Sequence, residues 1–437
     1  MVESQRPTAA VYAGYTYSYP HKRAYRGFDP PLRLDQLWRS ERRDSLYLYV
    51  HLPFCEMRCG FCNLFTQAQS DRDLVSGYLD ALARQARVVR RCVGDMSFAR
   101  CAIGGGTPTW LDEHQLEVVL DLAEEMGADL SGIPVSVETS PETALPGRLK
   151  LLRQRGVDRI SIGVQSFADA EVHAVGRPQR KSTVLGALEA IRSHDFPILN
   201  LDLMYGLPGQ TAQTWIASLE QALAYAPEEI YLYPLYVRPL TALGRRGESW
   251  DDERRQLYRQ GRDFLLERGY RQCSMRRFRS AQAPAESGPT YSCQHDGMLG
   301  LGCGARSYTR DVHYSSDYAV DRAVVREILA HWVASDDDRF ALAEFGYQLD
   351  VSDRKRRYLL QSLLETDGVA IEAYRDSFGG DPDEDFPELS DFHEAGYLEC
   401  EQGRWKLTTS GLELSDWIGP RLYSRRVRGL MEACATK

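Results

Sequence analysis

The chain has 437 residues, with 53 Lys+Arg against 62 Asp+Glu and a formal charge of −9. With 43% hydrophobic and 26% charged residues it is built to bury a large core, which excludes a disordered chain. The acidic balance argues against broad nucleic-acid binding, and the sequence holds no stretch near the roughly 18 apolar residues of a membrane span. The start, Met1-Val2-Glu3-Ser4-Gln5-Arg6, lacks the features of a signal peptide, so a cytoplasmic protein is expected. The length fits two or three domains, or one barrel with an appendage.

Residues 1–44 read as an N-terminal arm, in which Tyr12, Tyr15, Tyr17, Tyr19 and Tyr25 crowd around Pro20-His21-Lys22-Arg23. Such tyrosines either pack on the rest of the fold or, with the basic residues, stack on a planar or anionic ligand. Packing is the simpler expectation. From Ser45 to Leu240 a β-then-α rhythm follows. Strands are predicted at Leu46–Leu52, Ala99–Ile103, Pro134–Glu138, Arg159–Val164, Ile198–Met204 and Glu229–Leu235, short Val/Ile/Leu/Tyr-rich runs typical of buried parallel strands. Helical spacing lies between them, at Ser76–Val89, Leu116–Glu125, Arg148–Arg155, Lys181–Ser193 and Gln213–Tyr225. Six such units with right-handed crossovers predict an α/β fold, a partial (β/α)6 barrel. A charged helix at Trp250–Gly269 and strands at Tyr270–Phe278 and Met298–Tyr308 complete a unit of residues 45–336. In residues 337–437, helices near Asp353–Thr366, Ala370–Ser377 and Phe386–Glu394 precede a hairpin turning at Gln402-Gly403, a winged-helix-like pattern. Asp381, Asp383, Glu384 and Asp385 make that segment acidic, so a lid packed on the barrel is expected rather than a DNA reader.

Of ten cysteines, Cys55, Cys59 and Cys62 fall together in Tyr49-Val50-His51-Leu52-Pro53-Phe54-Cys55-Glu56-Met57-Arg58-Cys59-Gly60-Phe61-Cys62. The other seven lie apart and read as small buried hydrophobes. A cluster of this kind in a reducing compartment points to metal or iron–sulfur ligation. It sits at the C-terminal mouth of the first strand, where barrel sites form. A structural zinc site wants four ligands, and only a distant residue such as His295 would supply the fourth. Three thiolates on a four-iron, four-sulfur cluster leave one iron open to another ligand. Downstream, at successive strand ends, lie Gly104-Gly105-Gly106-Thr107-Pro108-Thr109, Ser136-Val137-Glu138-Thr139-Ser140, Gly163-Val164-Gln165-Ser166-Phe167, Gly176-Arg177-Pro178-Gln179 and Asp202-Leu203-Met204-Tyr205-Gly206. Gly300-Leu301-Gly302-Cys303-Gly304-Ala305 has the look of a dinucleotide fingerprint, but extended sequence follows it where a helix should open.

The spacing CxxxCxxC after a strand resembles the radical S-adenosylmethionine (SAM) superfamily. The ordered downstream motifs resemble the HemN-like branch, the relatives of oxygen-independent coproporphyrinogen III oxidases, from about residue 46 to the C-terminus. The resemblance implies that Cys55, Cys59 and Cys62 hold a [4Fe-4S] cluster whose open iron takes the methionine part of SAM. One electron from the cluster then cleaves SAM to an adenosyl radical, with a flavodoxin- or ferredoxin-like donor implied. It places Tyr49, Phe61, Gly105, Gly106 and Glu138 around the first SAM. A second SAM would meet Thr107, Gln165, Arg177 and Asp202.

Two departures from that family stand out. The decarboxylases carry Met-Asp-His-Phe-Ala and a further Cys two positions beyond the third ligand. Here Met275-Arg276-Arg277-Phe278-Arg279 and Asn63-Leu64-Phe65 stand instead, and Arg276 and Arg277 are candidates for binding an acidic substrate. The haem chaperones carry His-Asn-x-x-Tyr-Trp, where Tyr291-Ser292-Cys293-Gln294-His295-Asp296-Gly297 is found. These departures lead to the expectation of a third activity of the same architecture, similar to the class C radical SAM methyltransferases and cyclopropane-forming enzymes. In it a methyl or methylene group passes from SAM to an sp2 carbon of a small-molecule or modified-peptide acceptor. His295, Tyr233 or SAM itself would remove the last proton. Oxidative decarboxylation of coproporphyrinogen and haem chaperoning are the alternatives.

Overall fold

The computed structural model describes residues 11–434 except 13, 17, 239, 247–252 and 286. Tyr17 and the start of the helix predicted from Trp250 lie outside the described residues. A 13-stranded sheet forms the body of the molecule. At its centre are six parallel strands: β1 Leu46–Leu52, β2 Phe98–Gly105, β3 Val135–Thr139, β4 Arg159–Gln165, β5 Ile198–Tyr205 and β6 Glu229–Pro234. Each follows a helix that shields one sheet face, as in the helix Arg72–Val93, which Asp71 caps through Leu74 N and Gly94 ends at φ 81°. In β1, Leu46, Leu48, Val50 and Leu52 are fully buried on that face, while Tyr47 and Tyr49 point the other way. This is the mixed α/β architecture expected for a partial barrel.

The sheet runs on beyond the six strands. Met298–Leu301 pairs in parallel with β1, and Arg306–Tyr308, Val312–Ser315, Leu342–Gln348 and the arm's Arg26–Arg33 extend that edge. On the other side Arg277–Ser280 pairs antiparallel with β6, followed by Tyr270–Gln272. The segment predicted as one strand at Tyr270–Phe278 is thus a hairpin. The glycine run Gly300–Ala305 spans the turn between two strands, not the start of a helix.

The C-terminal segment holds the helices Val351–Leu363, Ile371–Phe378 and Glu388–Glu394 and a three-stranded sheet of Val369–Ala370, Leu398–Glu401 and Arg404–Leu407. It reaches both edges of the barrel's opening. On the β1 side Arg357 donates to the carbonyls of Gln294 and Cys293 at 3.1 and 2.7 Å. On the β6 side Thr366 N donates to Cys273 O at 2.8 Å, and Glu413 accepts from Arg255 and Arg259. The segment is thus tied to the sheet on both sides, and its Asp416 accepts from Tyr236 just past the C-terminal end of β6. The arm crosses that side at the level of the strand C-termini: Tyr12 against Tyr205, Tyr15 stacked on Tyr236, Tyr19 on Tyr423 and Tyr25 on Phe345. These four tyrosines pack on the fold. Among the described residues no helix is long and apolar enough to cross a membrane.

Candidate active site

Strand register fixes which side chains share the inner face of the sheet. Tyr49 lies opposite Ala102, Ser136 opposite Arg159, Glu138 opposite Ser161, Gly163 opposite Asp202 and Met204 opposite Tyr233. Most are polar, and polar groups on an inner face cost free energy unless they meet water or a ligand. Glu138 keeps exposed surface although desolvation pushes its carboxyl up, as befits the wall of an internal chamber.

The cysteine loop closes the C-terminal end of this chamber. It is braced by Gly60, whose N donates to Val175 O at 2.9 Å and whose carbonyl accepts from Leu243 N at 2.9 Å. The glycines of the second motif answer a close approach. A Cβ on Gly106 would lie 2.4 Å from Phe54 O and 2.9 Å from Cys55 Sγ; one on Gly105, at φ +116°, would lie 2.6 Å from the His51 ring. Gly105 N donates to Glu138 Oε2 at 3.0 Å. Tyr49 OH meets His51 Nδ1 at 3.2 Å, and His51 Nε2 meets Phe65 O at 3.0 Å. Thr107 sits against Cys55, its Oγ1 donating to Sγ at 3.7 Å. Phe61 packs with Tyr233 on a small apolar group of Val175, Met204, Leu207, Leu235 and Leu243.

Arg177 joins the loop to the chamber. It donates to Cys59 Sγ at 3.3 Å, Gly163 O at 2.7 Å and Gln179 Oε1 at 2.8 Å. Gln165, at φ 67°, lies beside it, since a Cβ on Gly163 would meet Gln165 Nε2 at 2.8 Å and Arg177 Nη2 at 4.0 Å. Asp202 faces the same position on β5, its Oδ1 accepting from Asn200 Nδ2 at 2.8 Å. Desolvation pushes the Asp202 carboxyl up to about 7, against the Asn200 hydrogen bond and Arg159.

The two candidate bases fare differently from the expectation. His295 is exposed, stacks edge-on at 5.3 Å with Tyr358, and lies in the segment entering Met298–Leu301. That strand runs parallel to β1, so His295 is at the N-terminal end of the barrel, opposite the cysteine loop, and is neither the base nor a fourth ligand. Tyr233 is on the inner face, but burial pushes its hydroxyl far above the ordinary tyrosine range, so it keeps its proton at neutral pH. Arg276 and Arg277 also serve otherwise: Arg276 pairs with Asp416 at 2.6 Å and Arg277 with Glu229 at 2.7 Å. Leu64, where the decarboxylases have their further Cys, is 49% exposed, so the change leaves the three-thiol set intact.

Two residues that motif reading left without a role complete the chamber. His51 fills the space that Gly105 and Gly304 leave open. Asn200 donates to both Ser161 and Asp202 while its buried Oδ1 has no partner among the described residues. A polar residue at alternate positions of an apolar strand was the available signal for each.

The donor set fits an iron–sulfur cluster. Each thiol has a separate neighbour: Thr107 for Cys55, Arg177 for Cys59 and Thr66 for Cys62. Among the described residues no three His, Cys, Asp or Glu side chains converge on a single metal ion. Three thiols on one short loop suit a cluster whose irons take one thiolate each. Burial pushes the Cys55 thiol up to about 12 and Cys62 up as well, so the thiolates form as metal binds.

Residues 49–222 match the radical SAM superfamily and residues 349–414 the HemN C-terminal domain. The chain is 28% identical to the haem chaperone HemW of Bacillus subtilis, over 85% of this chain and 97% of that one. It is 28% identical to the oxygen-independent coproporphyrinogen III oxidase of Pseudomonas aeruginosa, over 94% of both chains. The structure of Escherichia coli coproporphyrinogen III oxidase (HemN) superposes with a TM-score of 0.77 at 21% identity, over 95% of this chain and 96% of that one. These full-length relatives are a chaperone and an oxidase, and they overturn the expectation of methyl or methylene transfer to a natural-product acceptor. The superfamily brings a [4Fe-4S] cluster, SAM and a need for an electron donor. The chain thus carries a radical SAM superfamily match over residues 49–222 and a HemN C-terminal domain match over residues 349–414, and is similar along most of its length to HemN- and HemW-type proteins.

Proposed function

We propose that the chain binds a propionate-bearing tetrapyrrole, a porphyrinogen, in the barrel chamber and oxidatively decarboxylates its propionates. The observation that carries this reading is the chamber's closure by the arm. The similarity to the Pseudomonas aeruginosa oxidase leaves only 6% of the chain uncovered, less than the 44-residue arm, so part of the arm is shared with that enzyme. In this reading residues 1–44 are the closing arm, 45–336 the catalytic barrel and 337–437 the domain that seals its open side.

Cys55, Cys59 and Cys62 hold the cluster. When bound, the cluster and SAM supply hydrogen-atom abstraction. Tyr49, Phe61, Gly105, Gly106 and Glu138 line the first SAM, the glycines by offering backbone without side chains. Thr107, Gln165, Arg177 and Asp202 line the second, with Arg177 suited to a carboxylate. Each of the two reacting propionates would give one β-hydrogen atom to the adenosyl radical and one electron to an external one-electron acceptor, lose CO2 and become a vinyl group. The arm and the C-terminal domain exclude water while that happens. Anaerobic turnover of coproporphyrinogen III with SAM and a reductant should give the divinyl product. Its absence, with SAM cleavage intact, would refute the reading.

Haem carriage is the second reading, favoured by the similarity over 97% of the Bacillus subtilis chaperone. A Soret band on mixing with haem, without SAM cleavage, would support it.

A further inference from the structure

Around the cysteine loop the surface of this acidic chain turns basic. Two depressions flank the loop and share Arg58 and Arg322. The first, of about 400 Å³, has Cys59 and Cys62 in its wall, with apolar Leu240, Ala242 and Val320 beside them and Arg245 at its edge. The second, of about 290 Å³, adds Met57 and Arg326. Asp321 is the one acid among the described residues lining either depression, and it is engaged. It pairs with Arg245 at 3.2 Å and caps the helix Arg322–Val333 through Ala323 N at 2.9 Å. Four guanidiniums thus meet one carboxylate, on a chain whose formal charge is −9. Arg58 Nη2 donates to Val320 O at 2.6 Å, which fixes the cysteine loop to the segment entering that helix.

Arg322 and Arg326 are exposed and make no hydrogen bond or ion pair with a described residue. Local preference runs against both. Arg322 is the first residue of its helix, where the macrodipole disfavours a cation, and Arg326 four residues on repels it. Like charges held there without an internal partner attract an anionic one from outside. The cluster needs one electron from a donor, and electron transfer slows steeply with distance. Cys59 and Cys62 reach the surface in the first depression, so a carrier seated over it lies close to the cluster. An apolar floor inside a charged rim is also the layout of a protein interface. We propose that the face formed by Arg58, Arg245, Arg322 and Arg326 docks an acidic electron-carrier protein with a one-electron flavin or iron–sulfur centre. One electron passes across this face: the carrier is oxidised by one electron, the cluster is reduced by one, and no proton or leaving group moves. The proposal rests on the cluster, and it stands whether the chamber holds a porphyrinogen or haem.

The test uses cluster-loaded protein, free of substrate, under anaerobic conditions. An acidic flavodoxin and an acidic ferredoxin, each reduced, are mixed with it in turn, and bleaching of the cluster is followed by stopped flow. Binding of the oxidised carriers is read separately by calorimetry. With the carrier that serves, wild type should be reduced and bound best at low salt, and both should weaken as salt rises. The double variant Arg322→Glu, Arg326→Glu should lose about tenfold in rate and in affinity at low salt and converge on wild type at high salt. Arg326→Glu alone should give part of that loss. Arg271→Glu, the same charge change on the exposed part of the edge strand Tyr270–Gln272, should give none. Iron content and reduction by a zwitterionic viologen should be the same in every variant. An unchanged double variant, an equal loss in Arg271→Glu, an equal loss with the viologen, or no binding of either carrier by wild type would overturn the proposal. Tighter binding of a short DNA duplex than of either carrier, abolished by the same double variant, would make this a nucleic-acid face and overturn it as well.

Discussion

The Arg177 guanidinium reaches the sulfur of Cys59 at 3.3 Å while its other end donates to Gly163 O at 2.7 Å. One side chain thus connects the loop after β1 with the end of β4. Its charge lies where the thiolates of a bound cluster concentrate negative charge. Arg177→Ala should keep iron content near wild type, because all three thiols remain. The midpoint potential should fall, since reduction adds an electron that the lost cation no longer offsets. Arg177→Lys should fall between, keeping the charge but not the three-way geometry. Anaerobic redox titration monitored by electron paramagnetic resonance reads this, and an unchanged potential in Arg177→Ala would contradict it.

Arg276 and Asp416 form a buried pair, with side chains 8% and 1% exposed. Tyr236 donates to Asp416, and the guanidinium lies 3.9 Å from the centre of the Tyr15 ring. The pair therefore locks the barrel, the C-terminal segment and the arm together. Removing one partner strands a charge, and Asp416→Ala should cost about 3–5 kcal/mol in denaturant unfolding. The double variant Arg276→Met, Asp416→Leu should recover most of that cost. A double variant as unstable as Asp416→Ala would mean the pair is more than a charge match.

Asp202 predicts a pH dependence. Its carboxyl is raised by desolvation to about 7 in the folded chain, against about 3.9 for the unfolded one. The folded state then holds the proton more tightly, so the contribution to stability is full below about pH 4 and is lost as pH rises through 7. Asp202→Asn does not titrate. Its stability relative to wild type should improve between pH 4 and 7 and stay level above that, read from denaturation midpoints on SAM-free protein. A relative stability that is flat across this range would show that Asp202 titrates normally.

Much of the barrel could be read from the sequence because its strands are short apolar runs shielded by helices of regular spacing. Leu46–Leu52 has the bounds its composition suggested, and β2 to β6 differ by a residue or two at their ends. Hydrogen bonds carry β2 into the glycines Gly104 and Gly105, which composition alone assigns to a turn. The arm was harder: Tyr12, Tyr15 and Tyr19 meet Tyr205, Tyr236 and Tyr423, partners hundreds of residues away in some cases, and no local pattern encodes them. That His295 falls at the far end is not legible from residue type, which alone carries no strand direction. A segment entering a strand parallel to β1 must lie at the end away from the cysteine loop. Arg276 and Arg277 looked like substrate ligands because Asp416 and Glu229, which neutralise them, are invisible at short range. The reaction is not legible in the motif departures for a related reason: Leu64 is turned outward and Arg276 is paired internally with Asp416.

The most direct test of radical decarboxylation is isotope transfer from the substrate. Coproporphyrinogen III deuterated at the propionate β-carbons is incubated anaerobically with cluster-loaded protein, SAM and reductant. Mass spectrometry should find one deuterium in 5′-deoxyadenosine for each CO2 released. Deuterium-free 5′-deoxyadenosine with no CO2 would contradict the account.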